Sequence, residues 1–175
     1  TRWATHGAPS SINSHPHFNK EQSISVVHNG IIENYMGLKS RLTKKGYEFV
    51  SDTDTEVIAH LLDYYYTGNP MEAITKVLYA IEGSYSLGIM FADHGDQIYA
   101  VRKDNPLIVG KNDGGCFIAS DVPAILKYTR TIYYVENQEI VVLEKDQLSF
   151  HTMDGDELQK EAVTIDWDED AAEKG

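Results

Sequence analysis

Several groups of residues have the types and spacing of chemistry. Asn29-Gly30 closes the apolar run Ile24-Ser25-Val26-Val27-His28. One reading is a hairpin turn, since both residues tolerate positive φ. The other is an oxyanion hole, in which an Asn side-chain amide and a Gly N–H point at an oxygen that gains charge. Glycine suits that role because its backbone can approach a ligand closely. The next residues, Ile31-Ile32-Glu33-Asn34, lead toward a helix and show no returning strand, which weakens the hairpin. Upstream, Arg2, Thr5 and His6 share a loop. A guanidinium fork with a nearby hydroxyl binds a carboxylate, or Arg2 makes an ordinary surface ion pair. Asp52 and Asp54 flank Thr53 ahead of a helical pattern. Acidic residues there complement the helix dipole or cap its amides, or one of them holds a ligand ammonium. An Arg on a carboxylate and an Asp on an ammonium together describe an α-amino-acid site.

Other chemistry reads as weaker. His15-Pro16-His17 and His28 lack the Cys or the correctly spaced further His of a zinc site, so no metal is expected and a loop-ordering hydrogen bond is the plainer role of His15 and His17. Cys116 sits in an apolar run after Gly114-Gly115 and reads as a small buried hydrophobe. Thr1 has the form of an N-terminal nucleophile only if the mature protein begins there.

The elements that must position these groups are read from periodicity. Residues 1–23 are rich in Gly, Pro, Ser, Asn and His and read as a loop ordered by side chains. A short strand over 24–28 ends at Asn29-Gly30. A helix is expected from Asn34, as N-cap, to Lys45, with Gly46 at the C′ position, followed by a short extended segment, Tyr47 to Val50. Thr53 and Glu56 have capping-box spacing ahead of Val57, Ile58, Leu61 and Leu62, predicting a helix to about Tyr66. Pro70 opens another that buries Ile74, Val77, Leu78 and Ile81 and ends at Gly83. From Ser84 the period changes to short strands: 85–91, 97–101, 107–110, 116–119, 131–135, 139–143 and 148–152, forming one sheet. A short helix is expected over 120–126, with Pro123 early in it. Helices grouped early and strands late favour an α+β architecture.

Composition sets limits. Fifteen Lys plus Arg against 27 Asp plus Glu leave a net charge of −12, which argues against a phosphate-binding face and hence against nucleic acid. The single cysteine excludes an internal disulfide framework and fits a reducing compartment. No run approaches the roughly 18 apolar residues of a membrane span and no leader opens the chain, so a cytoplasmic address is expected. The dense start without an initiator Met, and the acidic stretch 166–175, read as cut ends of a longer polypeptide.

Taken together, Thr1-Arg2-Trp3-Ala4-Thr5-His6-Gly7, His15-Pro16-His17, Val27-His28-Asn29-Gly30-Ile31-Ile32-Glu33-Asn34 and Ser51-Asp52-Thr53-Asp54-Thr55-Glu56 closely resemble the glutaminase (class II glutamine amidotransferase) domain of the glutamine–fructose-6-phosphate aminotransferases. The likeness continues through Glu82-Gly83-Ser84-Tyr85, Pro106-Leu107 and Ile118-Ala119-Ser120-Asp121. It implies a four-layer αββα sandwich of the N-terminal-nucleophile hydrolase type. It also implies hydrolysis of glutamine to glutamate and ammonia through a thioester on an N-terminal Cys, with no cofactor. By the resemblance, Asn29 and Gly30 form the oxyanion hole, Arg2 and Thr5 clamp the substrate carboxylate, and His6 walls that pocket. Asp54 takes the ammonium, and Trp3 gates ammonia. Residues 1–165 would be the amidotransferase domain and 166–175 a linker to a sugar-isomerising domain that binds fructose 6-phosphate, in an enzyme that forms a homodimer.

The departure is that the family's N-terminal strands and nucleophilic Cys have no counterpart in this sequence. The fold is therefore expected to be incomplete, with exposed sheet edges, and the chain alone inactive. The alternatives are the same domain on another class II enzyme, amidophosphoribosyltransferase-like, and a non-catalytic amino-acid-binding module.

Overall fold

The structure, a computed structural model, describes residues 5–166. Arg2 and Trp3, and Thr1 with them, lie outside the described residues, as does most of the acidic stretch. The early loop is ordered by side chains, as its composition predicts. Buried Asn19 accepts the N–H groups of Ser23 and Ile24 on Oδ1 and donates to Asp63 Oδ1 at 2.9 Å. Buried Asn13 donates to Ala8 O and accepts the Asp52 N–H, both at 2.9 Å, tying this loop to the start of a helix.

The stretch 1–23, expected as loop, contains a two-residue strand, β1 (His17–Phe18), which pairs with the strand that follows, β2 (Ile24–Ile32). β2 runs four residues beyond the His28 expected from the sequence. Asn29-Gly30 is therefore no turn: both residues stay in register with the neighbouring strand, opposite Ser86 and Tyr85. Three helices come next: α1 (Tyr35–Lys44), α2 (Thr55–Tyr65) and α3 (Pro70–Ala80). Helix α1 ends where Gly46 takes φ +96°, with Gly46 N–H on Thr43 O and Tyr47 N–H on Leu42 O, the paired bonds of a Schellman stop. Asn34 does not cap α1. Its amide instead donates to Ala80 O and accepts the Glu82 N–H, both at 2.9 Å, so it pins the start of α1 to the end of α3. α3 starts as its sequence predicts, with Pro70 in the first turn and Asn69 accepting the Glu72 N–H. Gly83 belongs to the next strand and not to the end of α3. In α2 every residue from Thr55 to Leu62 is buried, which places this helix between the sheet and the other two.

The strands β3 (Gly83–Phe91), β4 (Ile98–Lys103), β5 (Ile108–Asn112), β6 (Gly115–Ala119), β7 (Thr131–Tyr134), β8 (Ile140–Leu143), β9 (Leu148–His151), β10 (Glu157–Leu158) and β11 (Val163–Thr164) complete the chain. They form two antiparallel sheets and not one, ordered β1-β2-β3-β4-β8-β9-β10 and β11-β7-β5-β6. The segment 47–50 joins neither. Apolar contacts divide the molecule into layers. Helices α1 to α3 bury one face of the seven-stranded sheet, with Leu38, Val57, Ile58, Leu62 and Ile74 in one cluster with Leu87 of the sheet. Ala100, Val109, Val141 and Phe150 fill the space between sheets, with Cys116 against them. The outer face of the smaller sheet packs on Ile125, Leu126 and Ile165.

That outer cover is a run of turns, and the helix expected over 120–126 does not form. Pro123 offers no N–H, the Ala124 N–H is taken by Asp121 Oδ1, and the rest is held by Ile125 N–H on Val122 O and Thr129 N–H on Ile125 O. A side chain at Gly110 would meet Thr129 Cγ2 at 2.6 Å and Ile125 Cδ1 at 2.7 Å, so the turns lie directly on the sheet backbone. The smaller sheet stops at β6, whose outer edge has no partner among the described residues. On the larger sheet Val27 and Ile31 of β2 and Met90 of β3 remain about two-fifths exposed.

The fully buried Leu62 tests which contacts hold the helical layer. Leu62→Ala is expected to lower stability by about 2–5 kcal/mol, and Tyr79→Ala, on the solvent face of α3, by less than about 0.5 kcal/mol, as read from urea unfolding midpoints.

Candidate functional site

The end of β2 and the start of α2 meet at one hydrogen bond. Asp54, 2% exposed, accepts the Ile32 N–H on Oδ2 at 2.8 Å. It makes no cap bond to its own helix, so the helix-cap reading of Asp54 gives way to a strand-to-helix tie. Its other oxygen lies 3.9 Å from His6 Nδ1. The His6 ring stands edge-on to Tyr35, with centroids 4.9 Å apart.

The backbone before Asp54 is fixed by Glu56. The capping box does not form. Glu56 reaches past Thr53 and accepts the N–H groups of Val50 at 2.9 Å and Ser51 at 2.6 Å. His60, one turn on, adds a 2.9 Å contact to the same carboxylate, and Phe49 packs on the His60 ring. Burial by itself would raise the Glu56 pKa, but the hydrogen bonds from His60, Ser51 and Val50 outweigh it and bring the group down to about 2. The carboxylate thus stays ionised while holding a loop that would otherwise keep two N–H groups unsatisfied.

Histidines address the hydroxyls at the helix start. His28 Nδ1 lies 2.9 Å and His15 Nε2 3.3 Å from Thr55 Oγ1, and His17 Nε2 lies 3.2 Å from Thr53 Oγ1. Thr55 has one proton to give, so at least one of its two imidazole partners must donate to it. These are loop-ordering bonds. Among the described residues no three His, Cys, Asp or Glu converge as a metal site.

A cavity of about 540 Å³ opens where these elements join. Thr5, His15, His28, Asn29, Gly30, Ile31, Asp54, Thr55, Ser84 and Asn105 line it. Of the residues named from sequence, Thr5, Asn29, Gly30 and Asp54 line the cavity, and His6 stands behind Asp54. Asp52 is exposed and offers only its N–H, to Asn13. Ser84, in the Glu82-Gly83-Ser84-Tyr85 run of the resemblance, arrives by strand register, and Asn105, which no motif marked, arrives by a loop.

Gly30 carries the sharpest constraint. Its φ is +126°, and a Cβ there would fall 2.2 Å from Ser84 O and 2.5 Å from Asn105 Nδ2. Bonded and non-bonded pairs alternate along an antiparallel ladder. Glu33 N–H on Glu82 O and Ala92 N–H on Ser23 O mark bonded pairs at its two ends, which makes Gly30 opposite Tyr85 a non-bonded pair. The Gly30 N–H is therefore directed away from β3. Among the described residues β1 pairs only with Ser25 and Val26 on that side, which leaves this N–H toward the cavity that Asn29 and Gly30 line. The sequence's one thiol is elsewhere: Cys116 lines no part of this cavity, and burial pushes its pKa up.

Comparison with known proteins shows what the chain is similar to. A family model described as a glutamine amidotransferase domain matches residues 5–127. The glutamine–fructose-6-phosphate aminotransferase (isomerizing) of Clostridium acetobutylicum is 57% identical over 175 residues, all of this chain and 29% of that protein. The enzyme of that name from Caldanaerobacter subterraneus is 55% identical over the same shares. The chain thus spans less than a third of the length of these relatives. Among solved structures, the glutamine phosphoribosylpyrophosphate amidotransferase of B. subtilis superposes with a TM-score of 0.71 over 87% of this chain and 33% of that one, at 24% identity, a likeness of fold.

The Glu56 clamp gives a pH prediction. A carboxylate held near 2 when folded and near 4.5 when unfolded contributes stability that is complete above about pH 4.5 and is lost as pH falls toward 2. Glu56→Gln should lower stability at pH 7 and flatten its fall between about pH 5 and pH 2 in thermal melts. A variant as acid-sensitive as the parent would contradict the clamp.

Proposed function

The chain belongs to the glutamine amidotransferase domain family, and from that membership we propose that it is the glutamine-hydrolysing part of a longer enzyme that aminates fructose 6-phosphate. The observation that carries the proposal is one cavity holding both a buried carboxylate, Asp54, and an outward backbone N–H, Gly30, beside the Asn29 amide. Ile32, which anchors Asp54, lies two residues from Gly30, about 7 Å along an extended strand. In glutamine four covalent bonds separate the ammonium nitrogen from the carboxamide carbon. A hydrogen bond at each end lets that molecule bridge the Asp54 oxygen and the Gly30 N–H.

The reaction uses both ends of the pocket. The free Asp54 oxygen takes the substrate ammonium, and the pocket wall at Thr5 and His6, with Arg2, takes the carboxylate. A thiolate attacks the carboxamide carbon, and its C=O electrons move onto oxygen. Asn29 Nδ2 and Gly30 N–H stabilise that oxyanion, a contribution of about 10²–10³ in rate per donor. The amide nitrogen takes up the proton that the thiol gave up and leaves as ammonia, a thioester remains, and water cleaves it to glutamate and the free thiol. The thiolate is supplied by an N-terminal Cys outside this sequence, as the family resemblance implies. The released ammonia passes Trp3 toward a sugar-isomerising domain after residue 175, within a homodimeric enzyme working in the cytoplasm. No helix among the described residues is long and apolar enough to cross a membrane. The names of the relatives favour this acceptor over that of a phosphoribosyl-transferring enzyme.

The two ends of the pocket should fail differently. In the full-length protein, Asn29→Ala is expected to lower kcat for glutamine hydrolysis by about 10²–10³ with KM little changed, whereas Asp54→Asn should raise KM chiefly. The chain of residues 1–175 alone should release no ammonia. Steady-state glutamate release decides both points, and turnover by the isolated chain would contradict the assignment of roles.

A further inference from the structure

We propose that Asn105 is a positioning residue for the oxyanion hole, holding the carbonyl end of the peptide unit whose N–H end, on Gly30, faces the developing charge. The inference rests on the glutamine-hydrolysing reading above and adds a residue that this reading did not require.

The Asn105 side-chain amide donates to Asn29 O at 2.8 Å. Asn29 C=O and Gly30 N–H belong to one planar trans peptide group and point in opposite directions. Fixing one end fixes the other. By the ladder's alternation Asn29 opposite Ser86 is a bonded pair, so the Asn29 carbonyl faces β3, and the Asn105 amide adds a side-chain donor to it beside a residue whose backbone departs from strand geometry, with φ +126°. It also draws electron density toward the carbonyl oxygen, which makes the N–H at the far end a better donor. The absent side chain of Gly30 is part of the same arrangement, because a Cβ there would lie 2.5 Å from Asn105 Nδ2.

Asn105 is held from several sides. Its own carbonyl accepts from Arg102 Nε, and Arg102 Nη1 donates to Val135 O at 2.9 Å. The preceding residue, Asp104, has φ +60°, and its N–H is accepted by Asn137 Oδ1 at 2.9 Å. On the other side, the Pro106 carbonyl accepts the hydroxyl of Ser86, the residue opposite Asn29 on β3, at 2.9 Å. The loop backbone is therefore anchored to the strand it supports, and a directional contact from a well-held loop has a use where an N–H must be aimed before charge appears.

The test compares Asn105→Leu, close in size but without a donor or charge, with Asn29→Ala in the full-length protein. Asn105→Leu is expected to lower kcat for glutamine hydrolysis about tenfold, less than loss of a direct donor, while KM stays within about twofold. Inhibition gives a second readout. Glutamate γ-semialdehyde forms a tetrahedral adduct with the thiol and places an oxygen in the hole, whereas L-glutamate forms none. Asn105→Leu should weaken the aldehyde and leave glutamate unchanged. Parental kcat, a change in KM alone, or equal weakening of both inhibitors would overturn the proposal. Asn29→Ala inactive with Asn105→Leu at parental rate overturns only the role of Asn105, whereas full turnover by Asn29→Ala overturns the reading beneath it. If Asn105→Leu does not fold, Asn105→Ala carries the same comparison.

Discussion

The site depends on one buried hydrogen bond, from the Ile32 N–H to Asp54. It joins the last residue of β2 to the residue before α2, and so fixes the distance between a carboxylate and the backbone donor two residues away. Charge, strand and helix are locked by a single contact. Burying Asp54 would be costly without such partners, because an isolated carboxylate loses its hydration. The strand N–H supplies one bond and His6 stands near the other oxygen. The remaining hydrogen-bonding capacity of that oxygen is what an ammonium ligand would complete.

Much of the surrounding structure serves that contact. Glu56 holds 50–51, Asn13 holds the Asp52 N–H, and the His15, His17 and His28 rings converge on Thr53 and Thr55. These side chains make a loop without regular structure as fixed as a strand. α2 is buried nearly all round, so its first turn cannot shift without disturbing the core. On the other wall the 104–106 loop secures Asn29 and Gly30. Preorganisation of this kind suits electrostatic catalysis, in which the donors are in place before charge develops.

Much of this was legible in the sequence, for physical reasons that differ by residue. Helix periodicity located α1 to α3 because their buried stripes repeat, and Gly46 and Pro70 marked their ends because only a few backbone conformations suit those residues. The Asn29-Gly30 pair could be read as a turn or as an oxyanion hole, and its place inside a continuing strand was not legible, since a glycine required by the approach of Ser84 O looks the same in sequence as one required by a turn. Thr53 and Glu56 showed the spacing of a capping box, but Glu56 found two unsatisfied N–H groups at Val50 and Ser51 that were closer to its needs. The split into two sheets came from the family resemblance and not from periodicity, because strand length and alternation carry no information on which strands pair. Asn105 was hidden for the same reason: its role comes from a fold contact across 76 positions of sequence. The family resemblance supplied roles for Arg2 and Trp3, which lie outside the described residues.

The central claim is that one small molecule spans Asp54 and the Gly30 N–H. It is tested most directly by a crystal structure of the full-length protein trapped with the tetrahedral adduct of glutamate γ-semialdehyde. The account predicts the adduct oxygen within about 3 Å of both Asn29 Nδ2 and Gly30 N, and the ligand ammonium at hydrogen-bond distance from the Asp54 oxygen that does not accept Ile32. An adduct whose oxygen faces solvent, or whose ammonium is held by a group other than Asp54, would contradict it.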